Sequence, residues 1–249
     1  MRFSSFLPVA LSLLISQVSS SPVENEERGF FDGKDMNSNF VGKRLAAMMR
    51  EVKAVASGST CDMNVAKMPQ SPPLPPPSEG LELYHIAVGR GTQNYTCDLS
   101  NDTAIPVQIG AWAALFNVSC LAATYPDLLN MMPNVSLKFP VPTSNNAAAP
   151  ANLYLSGHHW FEDTTTPFFN LQTEEHNFGS AGLAAANKTA APAPARDVPW
   201  LKLVAKDPAS CNFTEVYRVN TAGGLAPKTC KGQAASFQVE YAAEYWMYR

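Results

Sequence analysis

The run from Phe237 to Tyr248 constrains the fold more than any other part of the chain. Phe237, Val239, Tyr241, Ala243, Tyr245 and Met247 alternate with Gln238, Glu240, Ala242, Glu244, Trp246 and Tyr248. Successive side chains of an extended strand point to opposite faces, so the first set makes an apolar core face and the second a mostly polar one. A helix would scatter the same aromatics around a cylinder. Trp246 and Tyr248 fall on the polar face and are therefore expected to be exposed.

Shorter stretches upstream repeat the β pattern. Residues 81–88 (LELYHIAV) and 92–99 (TQNYTCDL) read as two strands, with Gly89-Arg90-Gly91 as the hairpin turn between them. In the second, Tyr95, Cys97 and Leu99 share one face while Asn94 and Thr96 share the other. Further strands are expected at 107–118, 153–161, 167–172, 198–206 and 213–220, and one or two helical turns at 125–132. The biased stretches at 144–151 (SNNAAAPA) and 181–195 (AGLAAANKTAAPAPA) read as surface loops, the second as a mobile flap. The consecutive prolines of residues 71–78 (SPPLPPPS) lack the N–H groups that ladders and helices need, so the stretch forms an extended linker or lead-in. The expectation is an all-β fold over 61–249: a single antiparallel β-sandwich or β-barrel of about eight strands, with long loops and an irregular N-terminal arm at 21–60.

The first twenty residues point to export. Arg2 precedes an apolar run at 6–15 (FLPVALSLLI), followed by the small residues Ser19, Ser20 and Ser21. That is the layout of a signal peptide over 1–20. A membrane span needs about twenty apolar residues, so no span is expected. Within the arm, Lys43-Arg44 is either a propeptide cleavage site or an exposed pair before a short helix. Asn-x-Ser/Thr sequons occur at Asn94, Asn101, Asn117, Asn134, Asn187 and Asn212, where chance would give roughly two. The five cysteines (Cys61, Cys97, Cys120, Cys211 and Cys230) include no C-x-x-C pair, which favours disulfides in an exported chain over a metal site. The odd one is expected to be Cys211, beside the sequon at Asn212. Eighteen basic residues stand against 21 acidic ones with no basic patch, which argues against nucleic acid as a partner. The oligomeric state is not legible.

Four stretches together carry a resemblance: GRGTQNYTC at 89–97, DVPWLKL at 197–203, VYRVNTAGGLAPKTC at 216–230 and VEYAAEYWMY at 239–248. They resemble the secreted fungal and bacterial family catalogued as domain of unknown function 3455, over the chain from about Cys61 onward. The resemblance implies a compact β-rich extracellular domain. It also implies that Cys97 pairs with Cys230, and then Cys61 with Cys120. The family brings no established activity, although its members often carry an automatic malate dehydrogenase label. The residues do not support that label. Gly89-Arg90-Gly91 echoes the start of G-x-G-x-x-G, but its sixth position is Asn94 and β-patterned text follows where a helix is required.

Chemistry is sparse. His158, His159, Trp160, Phe161, Glu162 and Asp163 form the most suggestive cluster. In an extended strand His158, Trp160 and Glu162 face one way and His159, Phe161 and Asp163 the other, so the two histidines cannot share a metal without a bulge. Help would have to come from His85, His176 or Glu174-Glu175. A structural or solvent-facing cluster is the simpler reading. There is no G-x-S-x-G elbow, and no metal or cofactor is expected. Aromatic rings stack on sugars, which makes Trp160, Trp200, Trp246 and Tyr248 candidates for ligand binding. The functional expectation is a non-catalytic extracellular or cell-wall-associated binding protein with a polysaccharide or cell-wall glycan as ligand. The alternative is a secreted hydrolase or metal-dependent enzyme centred on His158, His159, Glu162 and Asp163.

Overall fold

The computed structural model describes residues 61–142 and 154–249. The leader expected over 1–20, the arm at 21–60 with Lys43-Arg44, and the loop at 144–151 lie outside the described residues. Eight strands follow one another: β1 (Leu83–Thr96), β2 (Val107–Asn117), β3 (Leu155–Asp163), β4 (Thr166–Gln172), β5 (Asn177–Thr189), β6 (Trp200–Ala205), β7 (Glu215–Gly223) and β8 (Ser236–Tyr248). Each pairs antiparallel with the next, and β8 returns to β1 to close a barrel. Closure is what removes free sheet edges, and it decides between the two architectures left open by the sequence. The β1–β8 seam is long, running from Leu83 opposite Tyr248 to Thr96 opposite Ser236.

Two sequence expectations are corrected. Gly89-Arg90-Gly91 is not a turn, because β1 runs straight through it. The glycines are there for room. A Cβ on Gly89 would lie 2.5 Å from the Tyr245 ring, and one on Gly91 would lie 1.8 Å from the Trp112 carbonyl oxygen. The stretch expected as a flap from residue 181 is instead mostly the thirteen-residue β5. Its low intrinsic β preference is overridden by pairing on both sides and by the fit of Ala181 and Leu183 into the interior.

Helices α1 (Ser119–Thr124) and α2 (Pro126–Ser136) lie between β2 and β3. Pro126 opens α2, where a missing N–H costs nothing. These helices and the proline lead-in create a second core. The first fills the barrel with inward residues such as Leu115, Phe169, Leu183, Tyr241, Tyr245 and Met247. The second lies outside the wall, where Met68, Leu74, Leu121 and Leu129 cover Ile86, Tyr217, Trp246 and Tyr248. The lead-in is strapped down through the carbonyls that proline retains. Pro75 accepts from Tyr217 Oη at 2.9 Å, and Pro76 accepts from Lys202 Nζ at 2.8 Å.

Two disulfides reinforce these joins. Cys61–Cys120 ties the segment before the lead-in to α1, and Cys97–Cys230 ties the end of β1 to the loop before β8, with Cα separations of 5.4 and 5.5 Å. Cys211 is half-buried and free. Among the described residues no helix is long and apolar enough to cross a membrane.

Candidate functional site

The inward positions of β3, β6, β7 and β8 do not fill the barrel at one end. A cavity of about 390 Å³ opens beside the β3–β4 turn, where Thr164 and Thr165 form part of the rim. Phe161, Pro167, Leu201 and Leu203 give it apolar walls, while His159, Arg218 and Tyr245 supply the polar groups. Eight-stranded barrels either fill with side chains or hold one small ligand, and this volume lies within the usual range for ligand pockets.

Arg218 shares the inward face of β7 with the core residue Val216. It is 7% exposed. Its Nη2 donates to the Pro199 carbonyl at 2.9 Å, but its buried Nε has no hydrogen-bond partner. His159 Nδ1 lies 3.0 Å from the Phe168 carbonyl, which can only accept, so Nδ1 carries the proton and Nε2 is an acceptor. Burial drives His159 down to about 4; the Phe168 carbonyl opposes that shift and nearby Arg218 reinforces it. The imidazole is therefore neutral at physiological pH. Its ring stacks on Phe169 at 4.2 Å. Tyr245 Oη lies 2.7 Å from Tyr241 Oη, and burial raises both phenols, so neither ionises near neutrality.

The cluster singled out from the sequence is split by the wall. His159 faces the lumen. His158 and Trp160 face outward, where His158 lies tilted against Trp112 and Trp160 against Phe168. Burial lowers the His158 pKa. Glu162 is exposed at the end of β3. Asp163 belongs to the turn, where bonds from Thr166 and Thr165 hold its carboxyl well below the usual range. These four groups do not converge on a point. His85 and His176 lie at the opposite mouth, both against Phe178. Among the described residues no group of three His, Cys, Asp or Glu side chains is placed to hold a metal ion.

The aromatic candidates also divide. Trp200, Trp246 and Tyr248 are 2%, 1% and 9% exposed. The exposure expected of Trp246 and Tyr248 is corrected, because the lead-in and helices cover that stretch of the outer wall and leave no ring face for a sugar. Trp160 remains half-exposed, and its neighbour across the ladder is Trp112. Of the sequon asparagines, Asn101, Asn134, Asn187 and Asn212 are exposed, while Asn94 and Asn117 are half-buried.

A family model described as "Protein of unknown function (DUF3455)" matches residues 77–249. The chain belongs to this family. Its matched span includes the complete barrel of this DUF3455 member and every residue of the lumen site. No curated protein and no solved structure matches the chain. The Gly-x-Gly of this family member sits mid-strand and opens no helix, so it cannot cradle a pyrophosphate as a dinucleotide fold does. Arg218 was missed in the sequence because it lies in an ordinary strand, VYRVN. Its sharing a face with Val216 was the one available sign.

Proposed function

We propose that this is a non-catalytic extracellular binding protein that holds one small molecule in the barrel lumen. The observation that carries this reading is the cavity of about 390 Å³, apolar on its walls and open beside the β3–β4 turn. The chemistry is that of holding: the histidine is neutral, the tyrosines are locked together, and among the described residues no Cys, Asp or Glu lines the space. Two disulfides and the apolar leader at 6–15 support an extracellular setting. The reading is tested by fluorescence titration with the neutral probe N-phenyl-1-naphthylamine, comparing the native protein with Ala185→Trp, which places an indole in the cavity from the position opposite Leu203. One saturable site per chain, lost in the variant, is the expected result. Absence of saturable binding to the native protein overturns the reading.

A second reading rests on the outer wall. Trp112, Trp160 and Phe168 are in register on the neighbouring strands β2, β3 and β4, with Trp160 and Phe168 ring centroids 5.1 Å apart. Such a row can stack on a polysaccharide, the ligand class the sequence favoured. Depletion of the protein from solution by insoluble chitin, β-glucan or cellulose, reduced by Trp160→Ala, is the expected outcome. Equal depletion of native protein and variant removes the row from consideration.

A further inference from the structure

Among the described residues, buried positive charges follow a rule with one exception. Arg90, on the outer face of β1, is 3% exposed and pairs with Glu240, with further bonds to the Ser136 and Phe139 carbonyls. Lys202, on the outer face of β6, is 7% exposed and pairs with Glu215 at 3.1 Å. Arg218 is as buried as Lys202 and makes no ion pair among the described residues. The other polar residues lining the cavity, His159, Tyr245, Thr164 and Thr165, carry no carboxylate. An unpaired buried charge is costly, and an open guanidinium fork with an unmet N–H is the donor set that matches a carboxylate.

The position completes the argument. Arg218 lines the cavity whose other walls are Phe161, Pro167, Leu201 and Leu203. A molecule with its negative head on Arg218 would place an apolar body against those walls. The volume of about 390 Å³ lies toward the lower end of the roughly 300–1,000 Å³ range of small-molecule pockets.

We propose that the lumen selects a small organic monocarboxylate, with Arg218 as the carboxylate-binding residue and the β3–β6 walls taking its apolar body. This rests on the lumen reading above and names the ligand class. Neutral His159 does not oppose it by charge, and the phenol of Tyr245 adds a polar group to the same lining.

The test uses the purified protein with N-phenyl-1-naphthylamine bound, displaced by decanoate and, separately, by decan-1-ol, which has the same chain without the charge. Decanoate is expected to displace the probe at a concentration at least about tenfold lower than the alcohol, as a charge-assisted bond implies. In Arg218→Met the preference is expected to vanish, with the alcohol competing at least as well as the acid. Arg218→Lys retains the charge but not the fork, and an intermediate preference is expected. Circular dichroism reports whether each variant is folded. If Arg218→Met does not fold, the native protein and Arg218→Lys decide. Equal displacement by acid and alcohol from the native protein overturns the carboxylate assignment while leaving the lumen reading intact. A probe that never binds overturns the lumen reading itself.

Discussion

The outer wall beneath the lead-in and the lumen behind it are separated by one sheet, and they treat polar groups in opposite ways. Lys202 on β6 and Arg218 on β7 flank adjacent positions of the same ladder and point to opposite sides. Outside, the polar groups close on one another: Lys202 binds Glu215 and the Pro76 carbonyl, Ser78 donates to Glu215, and Tyr217 reaches the Pro75 carbonyl. Inside, Arg218 has a carbonyl for one nitrogen and no carboxylate at all. A wall that is finished by its own chain is structural. A lining left with a buried charge that has no counter-ion is shaped for something the chain does not supply.

The largest test of this contrast is Trp246→Ala. Trp246 is a covered wall residue whose Nε1 donates to Glu244 at 2.9 Å. Its truncation is expected to cost about 3–5 kcal/mol in urea unfolding while leaving carbohydrate retention unchanged. A stable variant that loses polysaccharide binding would return the residue to the ligand site.

Next comes the pair of cations themselves. Lys202→Met strands Glu215 without its partner and is expected to cost about 3–5 kcal/mol. Arg218→Met breaks no ion pair and forfeits one hydrogen bond, so its cost is expected to stay below about 2 kcal/mol. Thermal unfolding of the two variants side by side measures the difference, and equal losses would erase it.

The last effect is a dependence on pH. Burial pushes the Glu244 carboxyl up to about 7, against the opposing pull of its bonds from Asn220 and Trp246. The unfolded chain ionises first, near about pH 4.3. Stability is thus fully present below that value and is lost as the pH climbs toward 7, by at most about 1.4 kcal/mol per pH unit. Glu244→Gln is expected to lack this decline between pH 5 and 7, as read from urea midpoints. Parallel profiles for variant and native protein would show that the carboxyl is not the source.

The same division explains how much of the fold and the site the sequence disclosed. The alternation from Phe237 to Met247 was legible because one face of β8 packs the interior along its length, and period two survives any neighbour. The opposite face was misjudged at Trp246 and Tyr248. Parity shows which residues lie together, but whether they meet water depends on α1, α2 and the prolines, which are remote in sequence. The strand count near eight concealed two compensating errors. Gly89 and Gly91 imitate a turn when the need is for space beside Tyr245 and Trp112, and β5 is written in alanines that carry little β preference alone. Of the cluster singled out in the sequence, His159 and Phe161 line the lumen. Arg218 gains its meaning from what surrounds it, and no single segment contains that.

The seam also has a consequence in time. Of the described strands β1 is synthesised first and β8 last, yet they hold each other along most of their lengths. Until β8 emerges from the ribosome, β1 and β7 each present an open hydrogen-bonding edge. The ring is therefore a late event that local pairing cannot complete, and folding is set by a contact across more than a hundred residues. A growing chain of this protein needs its edges shielded for as long as its final strand is still being made.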